Sequence, residues 1–208
     1  GKRAVVSIPD QAGRRDLWVY DVARGLRTRL TFDPGTEVAS VWSSDGSRII
    51  FNSNRKGHYD LYQKAANGAG AEEVILEDNL DKYPVSWSSD GRFLLYRTIG
   101  APTGADLFVL PLSGDPSTSS LRGSGQAGQA GKPVPFQQTK FSEQLGQFSP
   151  DGRWVAYVSN ESGGNQIYVA PFPGPGGKWQ ISTDGGSYPK WSRDGKEIFY
   201  LAPDNKLM

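Results

Sequence analysis

The chain has 208 residues, with 23 Lys and Arg against 22 Asp and Glu, a single His and no Cys. This near-neutral balance provides no global field to draw in nucleic acid or an anionic membrane, and the lack of Cys excludes disulfides, thiolate metal sites and Cys nucleophiles. Aromatics at 12%, with 26 Gly and 14 Pro, favour many short strands joined by turns, and no apolar stretch approaches the roughly 20 residues needed to span a bilayer.

Basic residues crowd the start (Lys2, Arg3, Arg14, Arg15, Arg24, Arg27, Arg29), but they alternate with apolar residues as the solvent face of a strand does. The first clear pattern is a strand carrying Asp16-Leu17-Trp18, followed by another at 27–31. A repeating unit then begins at Trp42-Ser43-Ser44-Asp45-Gly46 and recurs at Trp87-Ser88-Ser89-Asp90-Gly91, Phe148-Ser149-Pro150-Asp151-Gly152 and Trp191-Ser192-Arg193-Asp194-Gly195. The anchor aromatics stand 45, 61 and 43 residues apart, and the middle spacing returns to 45 once residues 116–131 are set aside as an insertion. That is the period of a propeller blade.

Each copy continues alike. An apolar second strand follows the Asp-Gly turn at 48–52, 93–97, 154–159 and 197–201. After a polar loop comes a third strand with an acid or amide before its aromatic: Asp60-Leu61-Tyr62, Asp106-Leu107-Phe108 and Gln166-Ile167-Tyr168, in the register of Asp16-Leu17-Trp18. A fourth strand closes each unit at 73–76, 133–137 and 179–182. The expected fold is therefore all-β, a propeller of four-stranded antiparallel blades, with about four and a half blades present as part of a larger ring. The expected blades are 1–32 (partial), 36–77, 83–138, 144–183 and 187–208 (partial). In the turns, Gly46, Gly91, Gly152 and Gly195 supply positive φ, while Asp45, Asp90, Asp151 and Asp194 accept a backbone hydrogen bond. Trp42, Trp87, Phe148 and Trp191 are expected to wedge between neighbouring blades.

These units resemble the TolB-type propeller repeat, in which W-S-P-D-G and an apolar strand precede S-x-R-x-G-x-x-D-[LI]-[YW]. The run from Ser53-Asn54-Arg55-Lys56-Gly57 through His58-Tyr59-Asp60-Leu61-Tyr62 fits that pattern. Ser44, Ser89 and Arg193 stand where it has Pro. Asp16-Leu17-Trp18-Val19-Tyr20-Asp21 and the Phe172 to Trp179 stretch are also similar to propellers at the C-terminal end of bacterial membrane-anchored serine/threonine kinases. The resemblance implies a bacterial, periplasmic or otherwise extracytoplasmic sensory or scaffolding module that binds a protein or peptide, with no nucleic acid and no direct membrane insertion by this segment. Two alternatives stay open: the gating propeller of a prolyl-oligopeptidase-like or tricorn-like peptidase, and a periplasmic TolB-like envelope protein.

No catalytic, cofactor or metal residues are expected within the chain. His58 is the only possible imidazole base, and no G-x-S-x-G elbow supplies a nucleophile. Gly123-Ser124-Gly125-Gln126-Ala127-Gly128 matches the dinucleotide fingerprint in letters, but neither a strand nor a helix flanks it, and the insertion reads as a flexible loop. The contact face is expected opposite the Asp-Gly turns. Its candidates are Arg55, Lys56, His58, Glu161 and Asn165 between second and third strands, with Lys82, Tyr83, Glu143 and Tyr188 on the approaches to first strands.

Overall fold

Short runs bounded by turns form 17 strands and no helix among the described residues of the computed structural model, which are 2–101, 104–112, 130–174 and 176–208. The insertion, including the glycine pattern at 123–128, falls almost wholly outside them. The chain divides into two compact units, Gly1–Pro84 and Val85–Met208.

In the first unit, β1 (Arg3–Pro9), β2 (Arg15–Asp21) and β3 (Leu26–Arg29) form one antiparallel meander. A second meander contains β4 (Ser40–Trp42), β5 (Arg48–Ser53), β6 (Asp60–Ala65) and β7 (Glu73–Leu76). Ile49, Ile50 and Phe51 are consecutive and all fully buried, so both faces of β5 are covered. That explains why the sequence shows an unbroken apolar run there rather than alternation. Leu17, Leu30, Ile49, Phe51, Tyr62 and Ala66 make one core between the two sheets, with Val5, Val19 and Trp42 packed against it.

The second unit repeats the plan. Its first sheet consists of β8 (Asp81–Trp87, beginning before the unit boundary), β9 (Phe93–Ala101), β10 (Gly104–Pro111) and β11 (Val134–Gln137). The next contains β12 (Glu143–Phe148), β13 (Trp154–Ser159), β14 (Gln166–Pro171) and β15 (Trp179–Gln180), and β16 (Ser187–Trp191) with β17 (Ile198–Leu201) forms a two-stranded sheet. Phe93, Leu95, Leu107, Val109, Phe148, Val155, Tyr157 and Tyr168 share one core. Partly buried Phe172 packs against it and meets Phe93 and Phe148 edge-on, with centroids 5.0 and 4.9 Å away.

The four Asp-Gly turns are built alike. The Ser after each anchor donates its hydroxyl to the Asp carboxylate at 2.6–2.7 Å and accepts the amide five residues on at 2.9–3.0 Å. The same carboxylate oxygen accepts the amide two residues after the Asp at 2.9–3.2 Å. The following Gly takes φ between 69° and 75°, where a side chain would be strained. Ser43, Ser88, Ser149 and Ser192 thus share the task given above to Asp and Gly alone. Pro150 makes none of these side-chain bonds, so Ser44, Ser89 and Arg193 replace it without loss of the turn.

The anchors differ among themselves. Phe148 is buried; Trp42, Trp87 and Trp191 are half-buried. Arg3 lies 5.0 Å above the Trp42 ring, the Trp87 indole N–H donates to Gly91 in its own turn, and the Trp191 indole N–H donates to the Gln147 carbonyl.

Phe148→Ala should lower unfolding free energy by about 3–5 kcal/mol in denaturant titrations, because it opens a void beneath Phe172. The turn acids give a pH signature. Hydrogen bonds from Ser43 and Ser47 hold Asp45 down to about 2, and those from Ser149 and Arg153 do the same for Asp151. At Asp90 partial burial pulls upward, but the bonds from Ser88 and Arg92 outweigh it. A carboxylate depressed in the fold stabilises it above its unfolded value near 4 and loses that contribution as pH falls through the folded value. Melting temperature should therefore drop between about pH 4 and about pH 2, and Asp151→Asn should flatten the slope.

Candidate interaction surface

The polar residues opposite the Asp-Gly turns separate into a buried layer and an exposed rim. Arg55 belongs to the buried layer: its guanidinium pairs with Asp33 at 2.7 Å and Glu72 at 2.6 Å, donates to Ser53 Oγ at 3.0 Å, and stacks over Tyr62 at 4.2 Å. Glu37 is fully buried and accepts hydroxyls from Thr31 and Ser53; burial pushes its carboxyl above the usual range despite those bonds and the nearby Arg55.

Lys82 and Glu143, expected on the contact face, are instead buried, at 0% and 1% exposure. Lys82 Nζ contacts Asp60 at 3.0 Å and Asp78 at 2.7 Å and donates to the Leu80 carbonyl at 2.6 Å. Glu143 accepts the Thr139 hydroxyl at 2.5 Å, and burial raises its pKa. The reason is positional: Glu37, Lys82 and Glu143 each stand five residues before an anchor aromatic, at the entry to a first strand. The repeat register carried that signal, and isolated polarity obscured it.

The rim keeps the other candidates. Lys56 pairs with Glu77 at 2.6 Å, and His58 Nδ1 lies 3.6 Å from Asp81; both side chains are about half exposed. Tyr83 is half-buried against Tyr59, and Glu161 is partly covered and paired with Lys178. Asn165 is exposed, and Tyr188 is 59% exposed at φ 56°, where β16 bulges between Ser187 and Lys190.

In the second unit these last two residues belong to the neighbourhood of a cleft of about 430 Å³. Asn165, Gln166, Asp184, Gly185, Gly186 and Ser187 are among its lining residues, and Tyr188 follows directly in sequence. The cleft wall is fixed internally: Gln166 Oε1 accepts the Ser182 hydroxyl and the Gly185 amide, its Nε2 donates to Thr183, and the Gly186 amide donates to Asn165. A Cβ on Gly185, which has φ 97°, would lie 2.5 Å from Pro203, and one on Gly186 would lie 2.7 Å from Ile167. Side chains there would force the wall apart. The cleft offers an amide, a carboxylate and a hydroxyl for hydrogen bonding. Among the described residues no group of three His, Cys, Asp or Glu is placed to hold a metal ion.

The family model for the TolB beta propeller domain matches residues 1–105. The Tol-Pal system protein TolB of Helicobacter pylori strain J99 is 24% identical over 163 residues, covering 78% of this chain and 35% of that protein, so the chain spans about a third of that relative's length. Among solved structures, a TolB described as putative in its source, Agrobacterium tumefaciens, superposes with TM-score 0.73 at 18% identity over 95% of this chain and 69% of that one. TolB from Acinetobacter baumannii gives TM-score 0.73 at 18% identity over 99% and 49%. These likenesses identify the fold as a β-propeller of the TolB kind.

Lys82→Ala should destabilise the protein by about 3–5 kcal/mol in denaturant unfolding, because it leaves Asp60 buried without its cation. Adding Asp60→Asn should recover part of that loss.

Proposed function

The chain belongs to the TolB beta-propeller domain family, and we propose that it serves as a protein-binding module of a bacterial envelope protein, outside the cytoplasm and without catalysis of its own. The Helicobacter pylori relative is named for the Tol-Pal system, which favours this reading over the sensory region of a kinase. The observation that carries the binding role is the 430 Å³ cleft lined by Asn165, Asp184 and Ser187, with the exposed Tyr188 next to Ser187 in sequence. An exposed aromatic fixed by a bulge loses little conformational entropy on contact, and the wall formed by Gln166, Gly185 and Gly186 needs no rearrangement.

The cleft's chemistry selects an extended peptide segment. Asn165 and Ser187 can bond its main chain, Asp184 favours a cationic side chain on it, and Tyr188 covers an apolar neighbour. Peptides selected from a random library on the immobilised chain should carry Lys or Arg. Tyr188→Ala and Asp184→Asn should each weaken them roughly tenfold or more by fluorescence anisotropy. Affinities unchanged by both substitutions would place the binding surface elsewhere and overturn the assignment.

A further inference from the structure

Six steps in the chain place an Asp or Asn directly before Gly: Asp45-Gly46, Asn67-Gly68, Asp90-Gly91, Asp151-Gly152, Asp184-Gly185 and Asp194-Gly195. In such a step the Gly nitrogen has no neighbouring side chain to shield it and can close a succinimide ring on the side-chain carbonyl before it. The fold disfavours that closure at five of the six. In the four Ser-Asp-Gly turns the carboxylate already accepts a Ser hydroxyl and a backbone amide, and the Ser43 and Ser149 hydroxyls help hold Asp45 and Asp151 down to about 2. An ionised, hydrogen-bonded carboxylate is a poor target for a nitrogen nucleophile. At Asp184 the nitrogen is the part held, because the Gly185 amide donates to Gln166 Oε1 at 3.0 Å within the cleft wall.

Asn67 differs on each count. It is exposed, on the turn between β6 and β7, and its carboxamide carries no charge. Its Oδ1 accepts the Ala69 amide at 3.0 Å, which draws electron density from Cγ and stabilises negative charge on that oxygen. Gly68 has φ 81°, and a Cβ built on it would meet nothing within 4 Å, so water reaches the step freely. The Gly68 amide donates to the Ala65 carbonyl at 2.9 Å, a bond at the exposed tip that opens without disturbing a core. Asn67 and Gly68 also line a groove of about 240 Å³ together with Arg3, Arg24 and Arg29 and a single acid, Asp21. Cations in that excess favour loss of the amide proton and, afterwards, a carboxylate in place of the carboxamide.

We propose that Asn67 is a site of spontaneous deamidation in the folded protein. The Gly68 nitrogen bonds to Asn67 Cγ as its proton departs, and the carboxamide nitrogen leaves as ammonia. Water then opens the succinimide at one carbonyl or the other and yields aspartate or isoaspartate. Either product adds one negative charge to the arginine-lined groove. The isoaspartate also routes the main chain through Cβ, which costs the Gly68–Ala65 turn bond.

Peptide mapping of the full chain tests this. The folded protein is held at mildly alkaline pH, unfolded in acid, digested with trypsin and sequenced by fragmentation in a mass spectrometer. The tryptic peptide 65–82 contains both Asn67 and Asn79, so it carries its own control. Conversion at Asn67 should outrun that at Asn79, which precedes the bulky Leu80, by roughly tenfold or more. Isoaspartate should form at residue 67 and not at the five Asp-Gly steps, whereas incubation in urea should bring it up at those steps too. Asn67→Gln should remove the signal from the folded chain. An Asn67 that stays intact in the folded protein, or Asp-Gly steps that isomerise as fast folded as in urea, overturns the proposal.

Discussion

A single four-stranded antiparallel sheet cannot bury both of its faces, and everything else in this protein follows from that constraint. Val155 through Val158 in β13 are apolar on both sides of their strand and are stable only with a neighbouring sheet on each side. The cores are accordingly formed between sheets. Leu17 and Leu30 of one sheet meet Phe51 and Tyr62 of the next, and Leu107 and Val109 meet Tyr157 and Tyr168.

The Ser-Asp-Gly turn sets the register that makes this stacking possible. A one-residue slip would turn alternate side chains to the opposite face. The turn resists it with side-chain and backbone bonds that link the Ser hydroxyl, the Asp carboxylate and the amide of the next strand.

At the other ends of the strands, part of the charge is held inside. Arg55 bridges Asp33 and Glu72, and Lys82 sits between Asp60 and Asp78. Such groups are costly to bury singly and tolerable when paired and hydrogen-bonded, so this layer fixes how the loops leave the sheets. In the second unit Asn165 and Asp184 line a cleft whose wall is already satisfied by internal hydrogen bonds.

The sequence by itself determined the repeat, the four turns, the order of strands and the all-β fold, because each rests on local chemistry: Gly at positive φ, Asp beside an amide, apolar residues in short runs. Only the tertiary structure decided that Lys82, Glu143 and Arg55 turn inward, since the repeat register aligns Lys82 and Glu143 with Glu37 but does not say whether water or a buried partner faces them. Besides the nearby Asp78 and Leu80, Lys82 meets Asp60 22 residues away, and Arg55 meets Glu72 17 residues away, separations that no local pattern records.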